Sequence, residues 1–247
     1  MRTALVTGVS RRAGIGFAIA SRLLTDGFRV VVHHHRPHDA QQPWGAEDLD
    51  AVLAGLPGLS GHFAADLAEP DAPARLVAEA VERVGHLDVL VANHARAHPD
   101  GALAEVTTEV LDAHWAVDAR SVILLVQALA AQHDGRPGGR AVLLTSGQGL
   151  GPMPGEVAYA AAKGALAAVT ATLADELAPG ILVNTVNPGP VDTGYASGAV
   201  HAEVAARFPG GAWGQPGDPA RLISWLVGDE GRWMVGQVLH TEGGFRR

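Results

Sequence analysis

Thr3-Ala4-Leu5-Val6-Thr7-Gly8-Val9-Ser10-Arg11-Arg12-Ala13-Gly14-Ile15-Gly16 decides the architecture of this chain. Thr3 to Thr7 is a short apolar run of the kind that forms a buried strand, and Ile15 to Leu24 has helical spacing closed by Gly27. The glycines between them allow a tight turn and close approach of backbone to a ligand. A phosphate group then sits at the positive end of the first helix. Gly8, Ser10, Arg11, Arg12, Gly14, Ile15 and Gly16 are therefore candidate binding residues for a dinucleotide pyrophosphate.

Working outward, apolar runs alternate with helical patterns to the end of the chain. Strands are expected at Arg29 to His33, Gly61 to Ala65, Leu87 to Val91, Ala141 to Thr145, Ile181 to Val186 and Gln237 to His240. Helices are expected at Pro70 to Val84, Thr107 to Gln132 and Glu156 to Leu177. Strands this apolar, separated by helices, make a parallel sheet covered on both faces. The expectation is an α/β, doubly wound, Rossmann-type sheet of about seven strands in a single domain over residues 1–247, with ligand at the carboxyl ends of the strands. Pro37 to Gly45 and Gly194 to Gly214 read as loosely ordered.

Composition narrows the class. Nearly half of the residues are apolar, and the net charge is −8, which argues against a nucleic-acid groove. Without cysteine there is no thiolate chemistry, and a cytoplasmic setting is the default. No signal peptide and no bilayer-spanning apolar run are read, so no membrane partner is expected. The histidines His33-His34-His35 alternate across a strand and cannot converge on one ion, so no metal is expected.

The end of the second strand bears on the nucleotide. An acid there usually accepts the adenosine ribose 2′-hydroxyl of NAD. Here the run is His33-His34-His35-Arg36, with no acid before Asp39. His35 and Arg36, with Arg11 and Arg12, suit a 2′-phosphate, and NADP(H) is expected over NAD(H).

Tyr159-Ala160-Ala161-Ala162-Lys163 contains the only lysine and one of two tyrosines. Positions i and i+4 share a helix face, so phenol and ammonium converge. A phenol with a pKa of about 10 is a poor acid near neutrality, and a fixed cation beside it lowers that value.

Together these residues resemble the short-chain dehydrogenase/reductase family. The glycine loop looks like its TGxxxGxG with two extra residues, and Asp66-Leu67 resembles its adenine-contacting pair. Ala92-Asn93-His94-Ala95 is a departed NNAG motif, with Asn93 and Ala95 expected at the cofactor and His94 expected to pack. Ser146 lies thirteen residues before Tyr159, and Tyr159 and Lys163 match YxxxK. Asn187-Pro188-Gly189-Pro190-Val191-Asp192-Thr193 resembles the PG motif, which places Pro188, Gly189, Val191 and Thr193 near the nicotinamide. Gly236-Gln237 and Gly243-Gly244 match the closing strand and glycines.

The resemblance implies hydride transfer. Tyr159 would be the general acid in reduction and Ser146 would hold the substrate oxygen. Lys163 would lower the tyrosine pKa and bind the nicotinamide ribose. Asp118 stands where the family places an asparagine whose backbone carbonyl holds a relay water; a carboxylate there would favour the Lys163 ammonium. The resemblance also implies a homotetramer, and Gly194 to Trp213 corresponds to a substrate lid, with Tyr195, Phe208 and Trp213 suggesting a mostly hydrophobic substrate. The chain looks similar to 3-oxoacyl-carrier-protein reductases and related ketoreductases. Leu177-Ala178-Pro179-Gly180 lacks the basic residue many of these carry, which argues against docking of an acidic carrier protein. The leading expectation is an NADPH-dependent carbonyl reductase. An NAD-dependent alcohol dehydrogenase and a non-catalytic dinucleotide sensor are the alternatives.

Overall fold

The computed structural model describes residues 1–247. Seven parallel strands form one sheet in the order β3-β2-β1-β4-β5-β6-β7. They are β1 (Thr3–Val6), β2 (Arg29–His34), β3 (Gly61–Ala64), β4 (Val89–Ala92), β5 (Gly139–Leu144), β6 (Ile181–Asn187) and β7 (Val238–His240). The order reverses between β1 and β4, which pair with Leu5 opposite Leu90. At such a reversal the connections leave in opposite directions and open a crevice at the strand ends.

Helices cover both faces, as the unbroken burial of β1, β4 and β5 requires. On one face α1 (Ile15–Thr25) and α9 (Gly217–Val227) pack together over Ala4, Val6, Val30, Val32 and Val142. On the other, α4 (Ala72–Val84), α6 (Ser121–Gln132) and α7 (Val157–Leu177) cover Leu5, Val31, Leu90, Ala141 and Val183. The α4 sequence shows why: Leu76, Val77, Ala80 and Val84 recur on one buried face. Each such leucine or valine contributes roughly 1.5–3 kcal/mol through removal from water.

Four elements depart from expectation. Pro37 to Gly45 is largely structured: α2 (Arg36–Ala40) leads into a turn, and α3 (Leu49–Ala54) follows with Asp48 as its cap. The Gly194 to Gly214 stretch contains α8 (Gly198–Ala206). The helix expected from Thr107 to Gln132 is α5 (Thr108–His114), a π-helical turn over Trp115–Arg120, and then α6. A single π turn inside a helix has no residue signature of its own, so spacing does not reveal it. Finally, α7 has 21 residues and a mean hydropathy of 1.4, long and apolar enough to cross a bilayer. Here it lies against β6 and the π turn, with Lys163 buried on its inner face.

Candidate active site

The crevice at the β1/β4 reversal is a cavity of about 600 Å³. Gly8, Ser10, Arg11, Gly14, Ile15 and Gly16 line its floor, and Asp66, Leu67, Asn93, Ala95, His35 and Thr193 line its walls. Gly8 has φ +73°, and a Cβ there would lie 2.8 Å from the His94 Cα, so the loop cannot carry a side chain at that point. Asn93 Nδ2 donates to the carbonyls of Thr7 and Gly8 at 3.0 and 3.2 Å, tying the loop to the end of β4. The first turn of α1 has no side-chain cap and no acid. Its free N–H groups therefore face the cavity as an anion site. Loop, helix end and cavity volume fit a dinucleotide.

Arg11 reaches across the cavity. Its guanidinium lies 4.8 Å over the Trp44 ring and donates to the Thr193 carbonyl at 2.6 Å. Two of the expected cations are elsewhere. Arg12 is exposed and paired with Glu47 at 3.1 Å, and the exposed Arg36 does not line the cavity. The extra loop residues turn Arg12 outward, and α2 begins at Arg36 and directs it to solvent. His38 and Asp39 enter the cavity wall instead. Asp39 is buried, accepting from Ser10 Oγ at 2.5 Å and Trp44 Nε1 at 3.1 Å. Its position as the first acid after β2 was the signal for it.

The three histidines alternate as strand geometry demands. His33 accepts from Gly8 N–H at Nδ1 (3.3 Å) and lies 3.0 Å from the Ala65 carbonyl at Nε2. Burial pushes it down to about 4, so it is a neutral strut for the loop. His34 turns to the other side and meets His62 at 3.2 Å. His94 is buried, with Nδ1 2.7 Å from Thr7 Oγ1 and Nε2 2.8 Å from Ser121 Oγ, and it also lines the cavity.

Ser146, Tyr159 and Lys163 converge at the carboxyl end of β5, beyond the residues that line the cavity. Ser146 lies close enough to the Tyr159 phenol to act on its titration. Lys163 is buried, and its Nζ lies 5.7 Å from the centre of the Tyr159 ring. Nζ donates to the Leu144 carbonyl at 3.0 Å, and the Lys163 carbonyl accepts from Thr145 Oγ1 at 2.7 Å. The phenol departs from expectation. Burial first, then the charges of Asp118 and Glu156, push it above its ordinary range, with Ser146 opposing. Burial likewise lowers Lys163, with Asp118 opposing.

Asp118 sits in the π turn, fully buried, accepting from Arg96 N–H at 2.6 Å. Its second oxygen lies 2.9 Å from His114 Nδ1. This partner lies four residues away on the same helical face, a spacing visible in His114-Trp115-Ala116-Val117-Asp118. Of the remaining expected residues, Pro188, Gly189 and Val191 do not line the cavity. Gly189 (φ +69°) turns against Glu242, and Val191 is buried and bridges Gly214.

Comparison with known proteins extends this geometry. The sequence profile described as "Enoyl-(Acyl carrier protein) reductase" matches residues 8–246. An uncharacterized oxidoreductase of Bacillus subtilis is 36% identical, covering 100% of this chain and 97% of that protein. A short chain dehydrogenase from Burkholderia cenocepacia, solved in complex with NADP, superposes with a TM-score of 0.85 at 36% identity, covering 98% and 97% of the two chains. A blue fluorescent protein from a metagenomic library, solved with NADPH, has a TM-score of 0.86 at 31% identity, covering 100% and 98%. The likeness runs the length of the chain, and the chain belongs to the short-chain dehydrogenase/reductase family as an NAD(P)-dependent oxidoreductase.

Proposed function

We propose that this chain reduces a ketone or 3-oxoacyl-type carbonyl to an alcohol with NADPH, using Ser146, Tyr159 and Lys163. The observation that carries this reading is the buried Lys163 ammonium, 5.7 Å from the centre of the Tyr159 ring and tied to the Leu144 carbonyl at the end of the strand that leads to Ser146, beside the cavity. A phenol held above its ordinary range stays protonated at working pH, the form that reduction consumes. Tyr159 would pass this proton to the substrate oxygen, which Ser146 would hold by a hydrogen bond. Lys163 keeps a charged, desolvated donor at the base of the site, where it would favour the phenolate left after transfer. The bound cofactor supplies the hydride to the carbonyl carbon.

What supports NADPH is narrower than the sequence implied. Arg11, His35 and His38 line the cavity, and each oxygen of the nearby Asp39 already accepts one hydrogen bond. In the lid region Phe208 and Trp213 are buried and seal the edge, whereas Tyr195 is half exposed and free to meet an apolar substrate. Turnover of a ketone panel with NADPH and with NADH tests the proposal. Reduction of apolar ketones with NADPH is the expected result. Oxidation of alcohols with NAD alone would favour a dehydrogenase, and binding without any turnover would favour a sensor.

A further inference from the structure

His114 is fully buried and takes no part in the proposed proton transfer. Its Nδ1 lies 2.9 Å from Asp118 Oδ2, and its Nε2 lies 3.0 Å from the Pro99 carbonyl oxygen. The other Asp118 oxygen accepts from Arg96 N–H at 2.6 Å. A carbonyl cannot donate, so Nε2 must carry a hydrogen. Between Nδ1 and Oδ2 there must be one more. The bonds from the ring to the Asp118 carboxylate and the Pro99 carbonyl favour the charged ring over burial and put that proton on His114. The buried pair is therefore an imidazolium and a carboxylate, with no net charge.

The pair also holds the Tyr159 end of α7. Pro99 precedes Asp100, whose carboxylate accepts the N–H groups of Tyr159 at 2.8 Å and Ala158 at 3.1 Å. The His114 ring stands edge-on to the Tyr159 ring, 6.1 Å between centres. Thus His114, Asp118 and the loop from Arg96 to Asp100 fix one end of the helix that presents the phenol.

We propose that His114 is a positioning residue: as an imidazolium it cancels the buried charge of Asp118 beside Tyr159 and Lys163 and locks the Arg96–Asp100 loop onto the start of α7. This rests on the reading of Tyr159 as proton donor. The chemistry at residue 118 must match the ring. An asparagine could donate to Nδ1 while accepting from Arg96, and would be satisfied by a neutral ring; an aspartate needs a charged one.

The charged and titratable groups around the pair are Arg96 on the loop, Asp100 and Glu156 before α7, Tyr159 and Lys163 on α7, and His38 on α2. Burial disfavours the imidazolium, but the bonds to Asp118 and Pro99 outweigh it and hold His114 above its ordinary range. Its contribution is full below about pH 6.5 and is lost as pH rises through the raised value. Above that, Asp118 is uncompensated and pushes the phenol further up.

Nitrogen-resolved NMR of the His114 ring, combined with kinetics of three variants, tests this. At pH 7 the native ring is expected to carry hydrogen on both nitrogens, and in Asp118→Asn on Nε2 alone. His114→Asn should lower kcat about tenfold or more, and the double variant His114→Asn/Asp118→Asn should recover to within about threefold of Asp118→Asn. A neutral native ring, or a double variant no better than His114→Asn, overturns the proposal. Should His114→Asn not fold, the ring states of the native chain and Asp118→Asn decide it. Turnover by Tyr159→Phe would show separately that the assignment of the proton donor is at fault.

Discussion

The two ends of the crevice are built by different means. At the nucleotide end, backbone does the holding: a left-handed Gly8, an uncapped α1, and Asn93 clasping two loop carbonyls. At the chemical end, side chains do it: buried Lys163, His114 and Asp118 on three adjoining helical segments, each charge answered by another or by a carbonyl. Backbone conformation depends on glycine and on strand–helix alternation, which are visible residue by residue. Charge compensation depends on which buried groups meet, which a one-dimensional pattern does not state.

Breaking the nucleotide end should have the largest effect. Gly8→Ala puts a Cβ 2.8 Å from the His94 backbone in a left-handed conformation. The combined strain of about 3 kcal/mol should lower the unfolding midpoint and abolish dinucleotide binding, as read by thermal melts and nicotinamide fluorescence. Next comes the cation. Arg11→Ala should weaken NADPH about tenfold while leaving NADH nearly unchanged, in parallel fluorescence titrations. Arg12→Ala should leave the NADPH/NADH ratio as it is, because Arg12 spends its charge on Glu47 in solvent. Equal effects of the two substitutions would remove the distinction between the loop arginines.

A smaller loss, of stability alone, sharpens the other side of the comparison. Asp100 lies outside α7 yet accepts from the N–H groups of its first turn. Burial raises its pKa, but the Tyr159, Ala158 and Gly101 N–H groups outweigh burial and hold it below the ordinary range. Its contribution is thus present above about pH 3.9 and is lost as pH falls through the lowered value. Asp100→Ala should cost about 1 kcal/mol at neutral pH by denaturant titration, with the loss vanishing in acid.

The same contrast explains how much could be read from the chain alone. The seven strands, the sheet class, the glycine loop and the convergence of Tyr159 with Lys163 all follow from local patterns. The failures were local conflicts settled by tertiary contacts. Pro37 to Gly45 looked like a loop, yet Asp39 and Trp44 are recruited by Ser10 and Arg11 from across the crevice. Arg12 and Arg36 counted as cations near the nucleotide, but the direction of a side chain on a turn or a helix start is not in the spacing. The π turn was invisible because it carries no residue signature of its own; it packs against α7 with Asp118 buried in it.

Single-turnover oxidation of bound NADPH by a reducible ketone, in the native chain and in Tyr159→Phe, tests the central claim most directly. The account predicts that the variant binds NADPH as tightly as the native chain and loses turnover by about a hundredfold or more. A Tyr159→Phe variant that oxidises NADPH at the native rate would contradict it.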